Sequence, residues 1–401
     1  MNHSMQNNYP NLLTHAEFFA GVGGVSFGLN HFKTIWANDF CLMKAQTFAL
    51  NHRGVEFICD DITNISSTDV PSTTLVSATY PCTNTSCAGD RTGLLGVKSG
   101  VVYRWLDLMK CKGGAAAYPF AILENPTGII ARNQGNDLRD LVLQLNKLGY
   151  AVNLMVVDAK HFVPQSRPRI FINCIDSALI STNITPIVSI SDLPSCKSLL
   201  TNPLRKWIAR NLDLDLISVA CNSLPTRTLQ LESVIDLHDP NTENWADAHF
   251  KEELINLLVG KQLINFHKLV NSPFKSVSTV SRRGRTRPDG SSFNATEINM
   301  TGVAPAQRPY KGGSSRCWIL IAGQGSSAFK VVTPRESARL MGFNDSFQLP
   351  TSNKEAYQCT GDSVVPEAVC WVEKNVFKPL LTLTQNESKN ISVNEQFTFV
   401  F

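Results

Sequence analysis

The sequence lacks the features that define several classes of protein. Its 401 residues contain no run of about 18 apolar residues, the length that a membrane-spanning helix needs. Its first ten residues, MNHSMQNNYP, have neither the basic start nor the apolar core of a secretory signal. Its 11 cysteines form no C-x-x-C pair, which argues against a zinc ribbon and a disulfide framework. These absences predict a soluble, cytoplasmic protein without a metal site.

The net positive charge of the chain is also small, but the positive residues are unevenly distributed. The formal net charge is only +4. Between positions 271 and 330, however, there are nine Lys or Arg and two Asp or Glu. This local charge of +7 leaves −3 for the rest of the chain. A regional excess of this kind favours an anionic partner for one part of the chain.

The first half of the sequence alternates short apolar runs with helical patterns, from His15 to about Ile175. This alternation is typical of βαβ units and predicts a doubly wound, mostly parallel sheet. The predicted strands are HAEFFA, TIWAND, VEFICD, TTLVSA, FAILEN and LMVVDA. The predicted helices between them are VSFGLNHF, CLMKAQTFALNH, VVYRWLDLMKCK and LRDLVLQLNKLG.

After Asp176 the alternation stops, which predicts a second, smaller domain inserted into the first. It would contain one long helix, FKEELINLLVGKQLINFHKLV, and a basic region rich in Gly and Ser. The segment TPRESARLMGF then predicts a helix with Thr333 as N-cap, Glu336 closing a capping box and Gly342 as its stop. We expect that helix to return to the first domain. The predicted domains are therefore 14–178 with 331–383, an inserted 179–330, and a tail, 384–401.

A glycine-rich turn, GVGG, follows the first strand and precedes a helix. Gly21, Gly23 and Gly24 let a cofactor approach the backbone and the amides of the helix N-terminus. Asp39 ends the second strand, where a ribose-binding carboxylate is expected, and Asp61 follows the third. This pattern suits any adenosine-containing cofactor and does not separate a nicotinamide dinucleotide from S-adenosylmethionine. Both aspartates could instead cap helices.

The dipeptide Pro81-Cys82 follows the apolar run TTLVSA. A cysteine at the carboxyl end of such a strand lies where ligands bind in open α/β sheets. Further motifs follow in order: ENP from Glu124, QSRPR from Gln165, TPRESARLMGF, and GDSVVP from Gly361. This ordered series, with FFAGVGG before it, closely resembles that of the DNA cytosine-5 methyltransferases.

The resemblance covers both ends of the chain and implies a set of site residues. It implies Cys82 as the nucleophile and Glu124 as the acid that engages the base. It implies that Arg167 and Arg169 support the base and the surrounding loop, and we expect Arg167 to lie beside the thiolate as well. It implies a cofactor site for S-adenosylmethionine formed by Phe19, Gly21, Gly23, Gly24, Asp39, Phe40, Asp61, Ile62, Pro81 and Ser363. The chain departs from the family pattern beside these groups, with PCTNTS, ENP and Asp362 in place of the usual residues.

The chemistry of the family explains why such residues are needed. Addition of a cysteine thiolate to carbon 6 of cytosine makes carbon 5 nucleophilic, and Glu124 must hold a proton to donate it to ring nitrogen 3. The target base of a duplex must also be extruded, which implies that double-stranded DNA binds to a basic surface of the protein. We expect that surface to include Arg282, Arg283, Arg285, Arg287, Arg308, Lys311 and Arg316, on a protein that acts as a monomer.

Three other interpretations remain open on the sequence alone. An RNA cytosine methyltransferase would carry the same catalytic motifs, although the inserted stretch favours duplex reading. A nicotinamide-dependent oxidoreductase is favoured only by the glycine turn and Asp39, while Ser26 breaks its fingerprint. A catalytically dead DNA-binding module conflicts with the presence of Cys82 and Glu124.

Overall fold

The computed structural model describes residues 13–81, 100–180, 184–193, 198–286, 289–309 and 316–381. The chain forms two compact units. The first contains the described residues within 13–157, 168–224 and 368–381. The second contains the described residues within 158–167 and 225–367. Cys82, Arg287, Lys311 and the terminal segment FTFVF lie outside the described residues.

A seven-stranded sheet organises the first unit. Its order along the sheet is β3-β2-β1-β4-β5-β8-β6, and β8 runs antiparallel to β5. The strands of this sheet are β1 (Leu13–Phe18), β2 (Phe32–Asn38), β3 (Glu56–Ile58), β4 (Leu75–Ala78), β5 (Phe120–Pro126), β6 (Tyr150–Asp158) and β8 (Pro168–Asp176). The predicted doubly wound, mostly parallel sheet is confirmed, and β8 is a strand that the alternating pattern did not predict.

The strands at the centre of this sheet are buried along their length, as expected when helices cover both faces. Residues Leu75–Ala78 of β4 are buried at every position. The helices of this unit are α1 (Gly24–Gly28), α2 (Leu42–Asn51), α3 (Val101–Lys112), α4 (Asn136–Lys147) and α5 (Asn202–Ala209). The apolar faces of α3, α4 and α5, including Trp105 of α3 and Leu141 of α4, join the strands in one hydrophobic core. Phe48 of α2 packs in a separate small cluster. A small antiparallel pair, β9 (Ile184–Pro186) and β10 (Ile217–Val219), completes the unit.

The second unit is built on a four-stranded antiparallel sheet that the sequence patterns did not predict. Its order is β12-β11-β14-β15. The strands are β11 (Ser276–Thr286), β12 (Ser292–Asn299), β14 (Trp318–Gly323) and β15 (Ser326–Val331). The unit also contains a short parallel pair of strands, β7 (Gln165–Ser166) and β13 (Ala304–Pro305). Three arginines of the basic segment, Arg282, Arg283 and Arg285, therefore lie on the long strand β11.

The helices of the second unit correct one prediction. The expected single helix from Phe250 to Val270 is two helices, α6 (Ala248–Asn256) and α7 (Lys261–Val270). Gly260 precedes α7 with φ 53° and ψ −125°, a conformation that a continuous helix cannot include. The break lets Leu258 and Phe266 enter the same core.

The capping-box helix is confirmed as α8 (Pro334–Leu340), followed by α9 (Asn353–Asp362) and α10 (Pro366–Val372). The Thr333 side chain accepts from the Glu336 amide, and Glu336 accepts from the Thr333 amide at 2.7 Å. Residues 331–367 belong to the same unit as the four-stranded sheet, and the described residues within 179–224 belong to the unit of the large sheet. The predicted boundaries differ from this grouping because α8 is tied to β15, where Lys330 forms an ion pair with Glu336.

Candidate active site and nucleic-acid interface

The carboxyl ends of three neighbouring parallel strands meet in the first unit. Phe18 of β1 aligns with Ala78 of β4, and Ala78 aligns with Leu123 of β5. The residues that follow these three positions are Phe19, Thr79 and Glu124, and they lie at this edge of the sheet. Neighbouring strands are about 4.8 Å apart, so these positions are adjacent. The edge lies where the strand order reverses between β1 and β4, which is where open α/β sheets bind ligands.

The glycine-rich loop leaves this edge in a strained conformation. Phe19 has a φ of 55°, unusual for a residue with a side chain, and Gly21 has a φ of 58°. A Cβ on Gly21 would meet nothing within 4 Å, so the loop faces open space there. Gly23 has a φ of 83°, and a Cβ there would lie 2.2 Å from Nε2 of His52. Gly23 is therefore needed for packing against α2, whereas Gly21 leaves room for a ligand.

Asp39 is buried and holds the first half of this loop. Its Oδ2 accepts from the amide of Gly21 at 2.9 Å, and its Oδ1 accepts from the amide of Cys41 at 2.9 Å. The side chain therefore fixes the backbone at the ligand-binding edge. Each carboxylate oxygen keeps a second lone pair, so contact with a ribose hydroxyl stays a prediction.

Asp61, Ile62 and Phe40 lie at the ends of the neighbouring strands β3 and β2. Asp61 caps a short 3-10 helix, because its Oδ1 accepts from the amide and the hydroxyl of Thr63 at 2.8 and 2.7 Å. These bonds hold the pKa of Asp61 below its usual range. Its Oδ2 has no partner among the described residues. Ile62 is buried, and Phe40 is 67% exposed. One carboxylate oxygen and one exposed aromatic ring are thus available at this edge.

Glu124 and Arg169 form an ion pair on the paired strands β5 and β8. Arg169 Nε lies 2.7 Å from Glu124 Oε1, and both side chains are largely shielded, with exposures of 17% and 12%. Antiparallel pairing brings them together, since Pro126 aligns with Arg169. Arg169 thereby orients the carboxyl group that the sequence predicts to engage the base.

Arg167 is two residues away from Arg169 in sequence but lies in the second unit and is buried. Its guanidinium donates to the carbonyl oxygens of Gln307, Gly361 and Ser363 at 3.1, 2.9 and 2.7 Å. Gly361 cannot be replaced easily, because a Cβ there would lie 2.4 Å from the backbone nitrogen of Pro309. Arg167 therefore fixes the backbone around Ser363, and its predicted contact with the base or the thiolate stays a prediction.

Glu17 is a buried acid beneath the glycine-rich loop that sequence reasoning missed. Its Oε2 accepts from the amide of Ser26 at 3.1 Å and from the Ser26 hydroxyl. Burial raises the pKa of Glu17 to about 7. The only available signal was an acid within the apolar strand HAEFFA, where a charged residue is costly unless it has a role.

Four of the predicted DNA-binding arginines line one cavity in the second unit. Its volume is about 330 Å³. The arginines are Arg282, Arg283, Arg308 and Arg316. The two basic clusters, separate in sequence, are therefore brought together, while Arg285 lies farther along β11.

The arginines of β11 are paired with carboxylates in the unbound protein. Arg282 contacts Glu253 at 2.9 Å, and Arg283 contacts Glu297 at 3.2 Å. Arg285 also contacts Glu297. Lys330, which contributed to the regional charge, is fully buried and does not belong to this surface.

The described residues lack two further features. No described helix is long and apolar enough to cross a membrane. Within the same residues, no group of three His, Cys, Asp or Glu side chains could hold a metal ion.

Comparisons with known proteins identify similar sequences and structures. Residues 13–378 match the family model described as C-5 cytosine-specific DNA methylase. The chain is 35% identical to the Type II methyltransferase M.Bsp6I of Bacillus sp. (strain RFL6), over 92% of this chain and 100% of that protein. It is 25% identical to the Type II methyltransferase M.NlaX of Neisseria lactamica, over 87% and 91%.

Solved structures share the fold at low sequence identity. The Dnmt2 methyltransferase of S. pombe matches with a TM-score of 0.54 and 15% identity, over 92% of this chain and 99% of that one. A putative DNA modification methyltransferase from an E. coli prophage matches with a TM-score of 0.53 and 17% identity, over 92% and 99%.

Proposed function

Because the chain belongs to the C-5 cytosine-specific DNA methylase family, we propose that it transfers a methyl group from S-adenosylmethionine to carbon 5 of a flipped-out cytosine in duplex DNA. The observation that carries this proposal is the sheet edge where the loop Phe19–Gly24, Pro81 and the Glu124–Arg169 pair end adjacent strands. Cys82 follows Pro81 directly in the sequence.

The proposed reaction proceeds through a covalent adduct. The Cys82 thiolate adds to carbon 6 of the cytosine, and ring nitrogen 3 receives a proton or hydrogen bond from Glu124. Carbon 5 then attacks the methyl group, and the sulfonium becomes a neutral thioether. Loss of the carbon 5 proton to a base restores the double bond and expels the thiolate. Arg169, whose Nε lies 2.7 Å from Oε1 of Glu124, would hold this carboxyl group in position against the base.

The proposed cofactor site uses the described geometry of the first unit. Gly21 leaves space for the methionine part of the cofactor, and Asp39 holds the amide of Gly21 in place. Phe40 would stack on the adenine, and Asp61 Oδ2 would accept from its exocyclic amine. Ser363 belongs to the second unit, and its contact with the cofactor stays a prediction.

The proposed DNA surface is the arginine-lined cavity of the second unit. Its ion pairs are partly exposed, and such pairs contribute about 0–1 kcal/mol each, so phosphates or guanine edges can replace the carboxylates at small cost. By analogy with its Type II relatives, we propose that the protein protects cellular DNA within a restriction-modification system, in the cytoplasm at the nucleoid.

Bisulfite sequencing of plasmid DNA tests this function. DNA incubated with the protein and S-adenosylmethionine should show protected cytosines at one sequence, and the Cys82→Ala protein should protect none. Transfer RNA treated in parallel should remain unmodified. Protection of RNA alone would contradict the proposal and favour the RNA methyltransferase interpretation.

A further inference from the structure

A continuous chain of hydrogen-bonded side chains runs through the interior of the first unit beneath the glycine-rich loop. It crosses strands β4, β1 and β2 and ends on helix α1 and β1. Its members are Ser77, His15, Thr34, Ser26 and Glu17. Ser77, His15, Thr34 and Glu17 are buried, and His15 and Ser77 have no exposed surface. Five polar groups in an apolar sheet core are costly unless each is satisfied, so this chain requires an explanation beyond packing.

Counting the available protons assigns a direction to every bond in the chain. The single hydroxyl proton of Ser26 is donated to Oε2 of Glu17, so Ser26 must accept from Thr34, whose Oγ1 lies 2.8 Å away. Thr34 has then used its own proton and must accept from Nδ1 of His15 at 2.9 Å. Burial lowers the pKa of His15 to about 3, so its ring is neutral and its Nε2 accepts from Ser77 at 2.8 Å. All four bonds point toward the Glu17 carboxylate.

We propose that Ser77, His15, Thr34 and Ser26 form a one-way relay that stabilises the charged form of Glu17, and that the charge on Glu17 in turn sets the cofactor affinity of the glycine-rich loop. This inference rests on the proposed S-adenosylmethionine site. Glu17 acts here as a positioning residue, because it touches the loop and not the cofactor.

The position of Glu17 explains how its charge would act on the loop. Its Oε2 receives the Ser26 amide, in the first turn of α1, while Asp39 receives the amide of Gly21 at the other end of the loop. The loop is therefore held at both ends by carboxylates. A charged acceptor binds amides and hydroxyls more strongly than a neutral one. Protonation of Glu17 would loosen one end of the loop and leave the other fixed.

Both forms of Glu17 are accessible near neutral pH. Burial, and to a smaller extent the charge of Asp39, raise the pKa of Glu17 to about 7, against the hydrogen bonds from Ser26 and from the Val25 backbone. The titratable groups that face it are Asp39 and, through the relay, His15. Its Oε1 is buried and makes no hydrogen bond with a described residue, so it can take the proton while Oε2 keeps its place in the relay.

A matched pair of substitutions at Thr34 tests the relay. Thr34→Val removes the donor to Ser26 without changing the size of the side chain, and Thr34→Ser keeps the hydroxyl. Thr73→Val is the control, because Thr73 is equally buried but donates to the carbonyl of Leu75. Glu17→Gln fixes the neutral form. For each protein the affinity for S-adenosylmethionine is measured by titration calorimetry from about pH 5.5 to about pH 8.5, a range that brackets the titration of Glu17.

Wild-type affinity should fall as the pH drops through the pKa of Glu17. In Thr34→Val the fall should occur at a pH higher by about one unit, the size expected for one buried hydrogen bond. Thr34→Ser and Thr73→Val should follow the wild type, and Glu17→Gln should bind weakly without a pH dependence in this range. Equal profiles for Thr34→Val and the wild type would overturn the inference, as would a pH-dependent Glu17→Gln protein.

Carbon-13 NMR of labelled glutamate in the cofactor-free protein separates this inference from the proposed function. The carboxyl resonance that disappears in Glu17→Gln belongs to Glu17, and its titration midpoint should be higher in Thr34→Val than in the wild type. An unchanged midpoint would refute the relay whatever the protein binds. A shifted midpoint in a protein that does not bind S-adenosylmethionine would keep the relay but refute both the coupling and the proposed cofactor.

Discussion

The two units of this protein hold their charged groups in opposite ways. In the first unit, Asp39 and Glu17 are buried and bound to backbone amides, so the ligand-binding edge is fixed before any ligand arrives. In the second unit, Arg283 and Arg285 are more than half exposed and share one carboxylate, Glu297. The difference suits the proposed function, in which a small cofactor would bind a preorganised site and a long polyanion would bind cations whose present partners are easily exchanged.

Removal of the acid at the ligand-binding edge should give the largest effect. Glu124→Gln keeps the shape of the side chain but cannot supply the proton, so the methylation rate should fall by about 10²–10⁴-fold. Single-turnover transfer of labelled methyl groups measures this rate. Glu252→Gln, on the exposed face of α6, is the control. A loss below about tenfold would mean that Glu124 only packs against Arg169.

The buried cation of the second unit sharpens the comparison, because it should act on stability and not on DNA. Lys330 lies 3.2 Å from Asp239 and also pairs with Glu336. Lys330→Met would leave two carboxylates unpaired and should lower the free energy of unfolding by about 3–5 kcal/mol. Urea unfolding measures this loss, with the exposed Lys275→Met as control. Similar stability of the two variants would contradict the buried ion pair.

A buried acid of the second unit should make stability depend on pH. Burial raises the pKa of Glu367 to about 7 from a usual value of 4.5, so between these values the folded protein binds more protons than the unfolded chain. The contribution of Glu367 to stability is therefore present at low pH and is lost as the pH rises through this window, by up to about 3 kcal/mol. Glu367→Gln should flatten that part of the curve measured by unfolding at several pH values. An unaltered slope would place Glu367 in contact with water.

Removal of single surface arginines should have the smallest effect and the most specific one. Arg283→Ala should lower the slope of log K against log salt for DNA binding by about one unit and change stability by less than about 0.5 kcal/mol. If Arg282 or Arg283 instead reads a guanine edge, its loss should cost about 1–3 kcal/mol at one base pair. Binding to target and scrambled duplexes across a salt series separates the two. Identical slopes and identical discrimination would move the DNA-reading surface to Arg308 and Arg316.

The sequence predicted the first unit well because its signals are local. Gly21 comes three residues after the end of β1 and Pro81 three residues after the end of β4, so each motif reports its own strand end. It predicted the second unit poorly, because the antiparallel sheet is set by long-range pairing. The relay from Ser77 to Glu17 could not be predicted either, since its members are distant in sequence and meet only across the sheet.

The central claim is that catalysis at this edge proceeds through Cys82, and trapping of the adduct tests it most directly. DNA with 5-fluorocytosine at the target cannot lose its substituent as a proton, so the adduct should persist in the presence of S-adenosylmethionine. Mass spectrometry of the digested complex should locate the adduct on Cys82, and Cys82→Ala should form none. An adduct on Cys87, or methylation by the Cys82→Ala protein, would contradict the account.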